Sequence, residues 1–178
     1  MIYNMDFLIS AMVILLLILW HFLGQKRAED LNNQVFLFFA VLGTADVVAE
    51  FFTNYYITSY NSDMENAAVI VTTIFYLLQA LLPVTFIFYI QTLHEQKIIS
   101  AKKMFISGVP TLVLISVILT NPFTEKLFSF DVTAGYVKGP WYLLMYVSAL
   151  GHFAVALLLI LLWRKKLGPQ KEKILLEI

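Results

Sequence analysis

The sequence predicts an all-α integral membrane protein, a bundle of five transmembrane helices, on three observations. The 178 residues are 60% hydrophobic and 13% charged, with a mean hydropathy of +0.80, whereas a soluble domain averages about 25% charged. The apolar residues gather into five runs, about 4–23, 35–57, 67–91, 104–121 and 141–163, each near the length of about 20 that a span requires. Only one connection is long, the twenty residues 121–140.

The first run is retained as a span and not a signal peptide. Its apolar stretch is too long, Lys26 and Arg27 follow it where a signal peptide has basic residues in front, and no small-residue cleavage site is present. The second run contains "TADVVAEFF", with Asp46 and Glu50 in an otherwise apolar helix. A carboxylate at the bilayer centre costs at least roughly 2.5–3.5 kcal/mol. Asp46, Glu50 and Asn54 are four residues apart, which puts them on one helix face. The third run, around "FYLLQALLPVTFIFYI", carries Gln79 and Pro83. Pro83 removes the hydrogen bond to the Gln79 carbonyl, so a hinge is expected there. Pro110 in the fourth run is read as packing.

The connection 121–140 is expected to form a lid. Asn121 followed by Pro122 is a cap and first-turn signal, predicting a short helix over 122–128. "LFSFDV" then alternates apolar and polar, and "TAG" precedes "YVK", which reads as a β-hairpin with Gly135 in its turn. Its Phe128, Phe130 and Tyr136 either fold over the mouth of the bundle or lie at headgroup level. The fifth run brings Tyr142 and Tyr146, one turn apart, and His152 on a face with Ser148, Ala149 and Ala156. After it, "LGPQKEKILLEI" breaks at Gly168 and Pro169 and turns apolar again. Residues 164–178 are expected to be a cytoplasmic tail that begins a truncated sixth helix, with the chain a piece of something longer.

Charge sets the expected orientation. With the N-terminus outside, Lys126 and Lys138 are the only external basic residues, and ten of the twelve Lys and Arg fall on cytoplasmic segments. That asymmetry follows the positive-inside rule. The single domain 1–178 then has a cytoplasmic C-terminus and its lid outside. The formal net charge of zero and the lack of cysteine give no disulfide framework and no thiolate metal site. His21 and His94 fall towards the inner side, so no metal is expected. No phosphate loop, nucleophile elbow, zinc motif or base-reading element is present, so no enzyme, no cofactor and no nucleic-acid partner is expected.

By depth, Asp46, Gln79 and His152 lie near the middle of spans two, three and five, with Glu50 and Asn54 climbing towards the outside. Two readings stand open. In one, carboxyls and amides cross-link helices. In the other, the stripe lines an outward-opening cavity for a small ligand or cation, the default for intramembrane ionisable residues, with Asp46, Glu50, Asn54, Gln79, Tyr142, Tyr146 and His152 as candidate binding residues. A proton- or cation-coupled carrier using Asp46 and Glu50 as a relay, and a purely structural scaffold, are the alternatives to a sensor.

The order of these motifs resembles the N-terminal multi-helix membrane region of bacterial diguanylate cyclases and related sensor proteins. The matching positions are Asp46, Gln79, Pro83, Tyr89, Asn121, Pro122, Phe128, Gly135, Tyr136, Gly139 and Pro140, with "NPFTEKLFSFDVTAGYVKGPWY" carrying most of the likeness. The resemblance implies a multi-pass sensory domain of the bacterial plasma membrane, perceiving a small molecule and relaying it to a cytoplasmic GGDEF domain that makes cyclic di-GMP. The sequence departs from that pattern in having no GGDEF motif and no later helices. On this reading the partners are the lipid bilayer, an unknown small-molecule ligand and a downstream cytoplasmic signalling domain, with room for a homodimer.

Overall fold

The computed structural model of the chain describes residues 5–24, 30–95, 101–131 and 133–163. In an apolar surrounding each segment must satisfy its own backbone polar groups, and a helix does so within itself. Five helices form: α1 (Met5–Gly24), α2 (Leu31–Thr58), α3 (Glu65–Glu95), α4 (Ala101–Thr124) and α5 (Leu143–Trp163), with strands β1 (Phe128–Asp131) and β2 (Gly135–Lys138) between α4 and α5. All five helices are long and apolar enough to cross a membrane. Large side chains such as Trp20, 81% exposed, and Leu143, 69% exposed, leave an apolar exterior that suits a multi-pass membrane protein. The tail 164–178 lies outside the described residues.

The element ends differ from the expected ones for local reasons. α2 starts four residues before position 35, because Asp30 is its N-cap and accepts from the Asn33 amide at 2.8 Å. A 3-10 turn over Ser62–Met64, capped by the Asn61 side chain on the Met64 amide at 3.1 Å, leads directly into α3. The short helix expected over 122–128 does not form. α4 runs on through Asn121 and Pro122 to Thr124 and stops where Glu125 adopts a left-handed φ of 53°, a usual way for a helix to end.

Asn121 does something other than cap a helix. Its side chain is 1% exposed. Oδ1 accepts from the Leu127 amide at 2.7 Å and the Phe128 amide at 3.3 Å, while Nδ2 donates to the Phe128 carbonyl at 3.0 Å. One buried amide thus fixes the hairpin to α4. The hairpin itself is present as expected, antiparallel, with Phe130 opposite Tyr136 and Asp131 opposite Gly135. Gly135 has φ of +67°, a conformation that glycine takes without steric cost. Asp131 closes the turn by accepting from the Thr133 and Ala134 amides at 2.8 Å each and from the Thr133 hydroxyl. A Cβ at Gly139 would overlap the Lys126 carbonyl, so only glycine lets β2 return beside the end of α4, where the Gly139 amide donates to Leu127 at 2.8 Å.

α3 is the central helix. α2, α4 and α5 all pack on it, α1 packs on α2, and α2 and α5 have little contact with each other. The larger core cluster joins α2, α3, α4, α5 and the hairpin through residues such as Ala49, Tyr76, Ile118, Leu127 and Phe128, and a smaller one joins α3 to α5 through Ile87, Ile90 and Ala156. Gln91 adds a polar tie from α3 to Ser107 of α4 at 3.2 Å.

Candidate functional site

Because α2 and α5 each lean on α3 but barely meet, a cleft stays open between them. It is a cavity of about 590 Å³, lined from α2 by Asp46, Glu50, Thr53 and Asn54, from α3 by Tyr76, Gln79 and Pro83, and from the α5 side by Tyr142, Met145, Tyr146 and Ala149; β2 adds Tyr136 and Lys138. The helical spacing of the α2 stripe, one turn per step, delivers Asp46, Glu50 and Asn54 to the same wall. Gln79 is exposed in the middle of α3 because it faces this space. Pro83, inside a continuous α3, lies one turn beyond it on the same wall, so the interrupted hydrogen bond falls at the cavity.

The polar groups of the α2 wall are poorly satisfied. Among the described residues, Asp46 Oδ1, Thr53 Oγ1 and Asn54 Nδ2 are buried and have no hydrogen-bond partner. Thr53 and Asn54 are each only 3% exposed. A native structure leaves few such groups, and here three occur within nine residues of one helix. The opposite wall is aromatic and its hydroxyls are tied to one another: Tyr76 to Tyr136, and Tyr142 to Tyr146 at 3.2 Å. The Tyr76 ring packs on Phe128 with centroids 5.3 Å apart and on Tyr142 at 6.3 Å. The Lys138 ammonium stands 4.4 Å over the Tyr142 ring, a cation–π distance.

The structure therefore brings together Asp46, Glu50, Asn54, Gln79, Pro83, Tyr136, Tyr142 and Tyr146. His152 is not with them. It is 6% exposed, and its Nδ1 donates to the Ser148 carbonyl at 2.7 Å while Nε2 accepts from the Thr111 hydroxyl of α4 at 3.0 Å. Both ring nitrogens are satisfied without Asp46, and the ring lines a separate, largely apolar cavity of about 600 Å³ between α4 and α5. Two of the lid residues also have other surroundings. Phe128 is 1% exposed and belongs to the core, and Phe130 stacks on Tyr60 at 5.1 Å, tying the hairpin to the α2–α3 connection. Gly135 opens β2 beside the hairpin turn and is not among the residues lining the cavity.

Among the lining residues not legible as site residues are Thr53, Tyr76, Lys138 and Met145. Tyr76 had a usable signal, since it precedes Gln79 by three positions and shares its face. Lys138 had none, because only the hairpin register swings β2 back to the cavity. The chain matches no family model, no curated protein and no solved structure.

Proposed function

We propose that the chain is the membrane-embedded ligand-binding domain of a bacterial signalling protein. It sits in the plasma membrane as a multi-pass bundle with the N-terminus and hairpin outside and the end of α5 in the cytoplasm. A small external or membrane-dissolved molecule enters between α2 and α5, meets the stripe of Asp46, Glu50 and Asn54, and favours one arrangement of α3 against α5. The interrupted helix at Pro83 lets α3 respond, and α5 carries the shift towards a cytoplasmic output domain. Such a switch requires only that the ligand bind one arrangement better than the other.

The observation that carries this reading is the open cleft with unsatisfied polar groups. Helix cross-links would pair Asp46 and Asn54 with neighbouring helices, yet both residues line the cavity and Asp46 Oδ1 and Asn54 Nδ2 have no partner among the described residues. The resemblance to the membrane regions of diguanylate cyclases supports the sensory role and the nature of the output. The test joins the chain to a diguanylate cyclase domain and follows cyclic di-GMP in cells exposed to fractionated growth medium. A response that disappears in Asp46→Asn, with the protein still inserted, is expected. An unchanged response in both Asp46→Asn and Glu50→Gln makes the carboxylates helix cross-links, and solute counterflow in liposomes makes the chain a carrier.

A further inference from the structure

We infer that this cavity is built for a small organic cation, a protonated or quaternary amine on an apolar or aromatic body that also carries a hydroxyl or carbonyl group. The inference rests on the proposed reading of the cavity as a ligand site and adds the chemical class. Its first ground is charge. Asp46 and Glu50 share the α2 wall, and among the described residues neither has an ion-pair or hydrogen-bond partner. The one basic side chain in the lining, Lys138, rests on Tyr142 and does not pair with either acid. An anionic ligand would meet two carboxyl groups against one ammonium; a cation supplies what the acids lack.

The second ground is independent of the acids. Thr53 Oγ1 and Asn54 Nδ2 are unpartnered, their residues are 97% buried, and both line the same cavity. An amide both donates and accepts, and the Thr53 hydroxyl takes either role, so the pair suits a hydroxyl or carbonyl group on the ligand. The third ground is the facing wall. Tyr76, Tyr136, Tyr142 and Tyr146 hold each other's hydroxyls, which fixes their rings as a surface of π faces and oxygen lone pairs. Aromatic faces attract ammonium groups, and the position of the Lys138 ammonium over Tyr142 is an instance within this wall. A bare inorganic ion would leave most of the 590 Å³ empty, whereas pockets of roughly 300–1,000 Å³ suit small organic ligands.

The experiment uses the full chain in lipid nanodiscs and four probes at millimolar concentration: phenethylamine, tyramine, the neutral isostere 2-phenylethanol and the anion phenylacetate. Binding is read by calorimetry and by the shift in thermal unfolding. The two amines are expected to bind about tenfold or more tightly than 2-phenylethanol, with tyramine ahead of phenethylamine through its hydroxyl. Asp46→Asn, or Glu50→Gln should the first variant fold poorly, is expected to erase most of that preference. Equal or tighter binding of 2-phenylethanol or phenylacetate, or no binding by either amine, overturns the cation class. The cavity-filling variant Ala149→Trp separates the two levels of the argument. If it abolishes the cyclase-fusion response while the amines fail to bind, the cavity remains a ligand site and only its class is wrong; if the response survives a filled cavity, the ligand-site reading falls as well.

Discussion

Asp46 has one carboxylate oxygen with no partner among the described residues, and that decides what its replacement does. A neutral amide has the same shape and removes the charge that burial disfavours. Asp46→Asn is therefore expected to keep or raise the unfolding temperature in detergent while abolishing the signalling response. Glu50→Gln acts in the same direction and more weakly, because Glu50 lies a turn nearer the hairpin end. If Asp46→Asn unfolds more readily and signals normally, the carboxylate is structural. Asn121 is the contrasting residue, since its three hydrogen bonds are all made and buried. Asn121→Ala leaves those backbone groups unsatisfied at a cost of about 1–3 kcal/mol, measurable as a fall in thermal stability, and Asn121→Asp, which sets a buried carboxylate oxygen against the Phe128 carbonyl, costs at least as much at neutral pH. The contrast also marks what residue-level reading can reach. The period of the helix places Asp46, Glu50 and Asn54 on one face from sequence alone. It does not give the rotation of α5 about its axis, so His152, expected beside Asp46 and Gln79, is instead bonded to Thr111 of α4. Nor does it show that Asn121, a good cap by type, turns its side chain into the hairpin.

The hairpin is an element whose two ends have different physics. Its root is core: Leu127 is 0% exposed and Phe128 is 1% exposed, and the Phe128 ring packs on Tyr76 and Tyr136. Phe128→Ala is expected to destabilise the whole bundle by about 3–5 kcal/mol, and deletion of residues 127–137 to do more. A bundle that keeps its thermal stability after that deletion makes the hairpin a passive surface ornament. The turn is exposed and local. The hydrogen bond from the Thr133 hydroxyl, then those from the Ala134 and Thr133 amides, hold the Asp131 carboxyl below its ordinary value of 3.8. A carboxyl whose folded pKa is depressed stabilises above the unfolded value and loses that contribution as pH falls through the folded one. The Thr133 and Ala134 amide resonances should therefore move together in an acid transition whose midpoint lies below 3.8. Asp131→Asn should remove that acid transition; a midpoint above 3.8 contradicts the turn geometry. Alternation and Gly135 made the strands legible beforehand. The anchorage of the root was not, because burial of Phe128 depends on which helix lies beneath it.

At the scale of the molecule, five apolar runs were enough to anticipate five helices, since length and hydropathy are properties of each segment alone. The cleft between α2 and α5 was not, because it comes from both helices choosing α3 as neighbour, and no periodicity within one helix names its partner. One consequence ties the ends of the bundle to the two faces of a membrane. Tyr60 of the α2–α3 connection stacks on Phe130 of the hairpin at 5.1 Å, so those two connections lie at one end whatever the orientation. The end of α3 at Glu95 lies at the far end of a 31-residue helix, about 46 Å away at 1.5 Å per residue and beyond a hydrocarbon core of about 30 Å. On the proposed orientation the hairpin end lies outside, as the basic asymmetry of ten to two predicts. The chain has no native cysteine, so single replacements report cleanly. Ser62→Cys and Thr133→Cys are expected to react with an impermeant thiol reagent in intact cells, and Ser100→Cys only after permeabilisation. Labelling of Ser100→Cys alone inverts the orientation but leaves the bundle intact. Labelling of only one of the first two is a different failure: it separates Tyr60 from Phe130 across the membrane, and with that stack goes the hairpin's place beside the cavity.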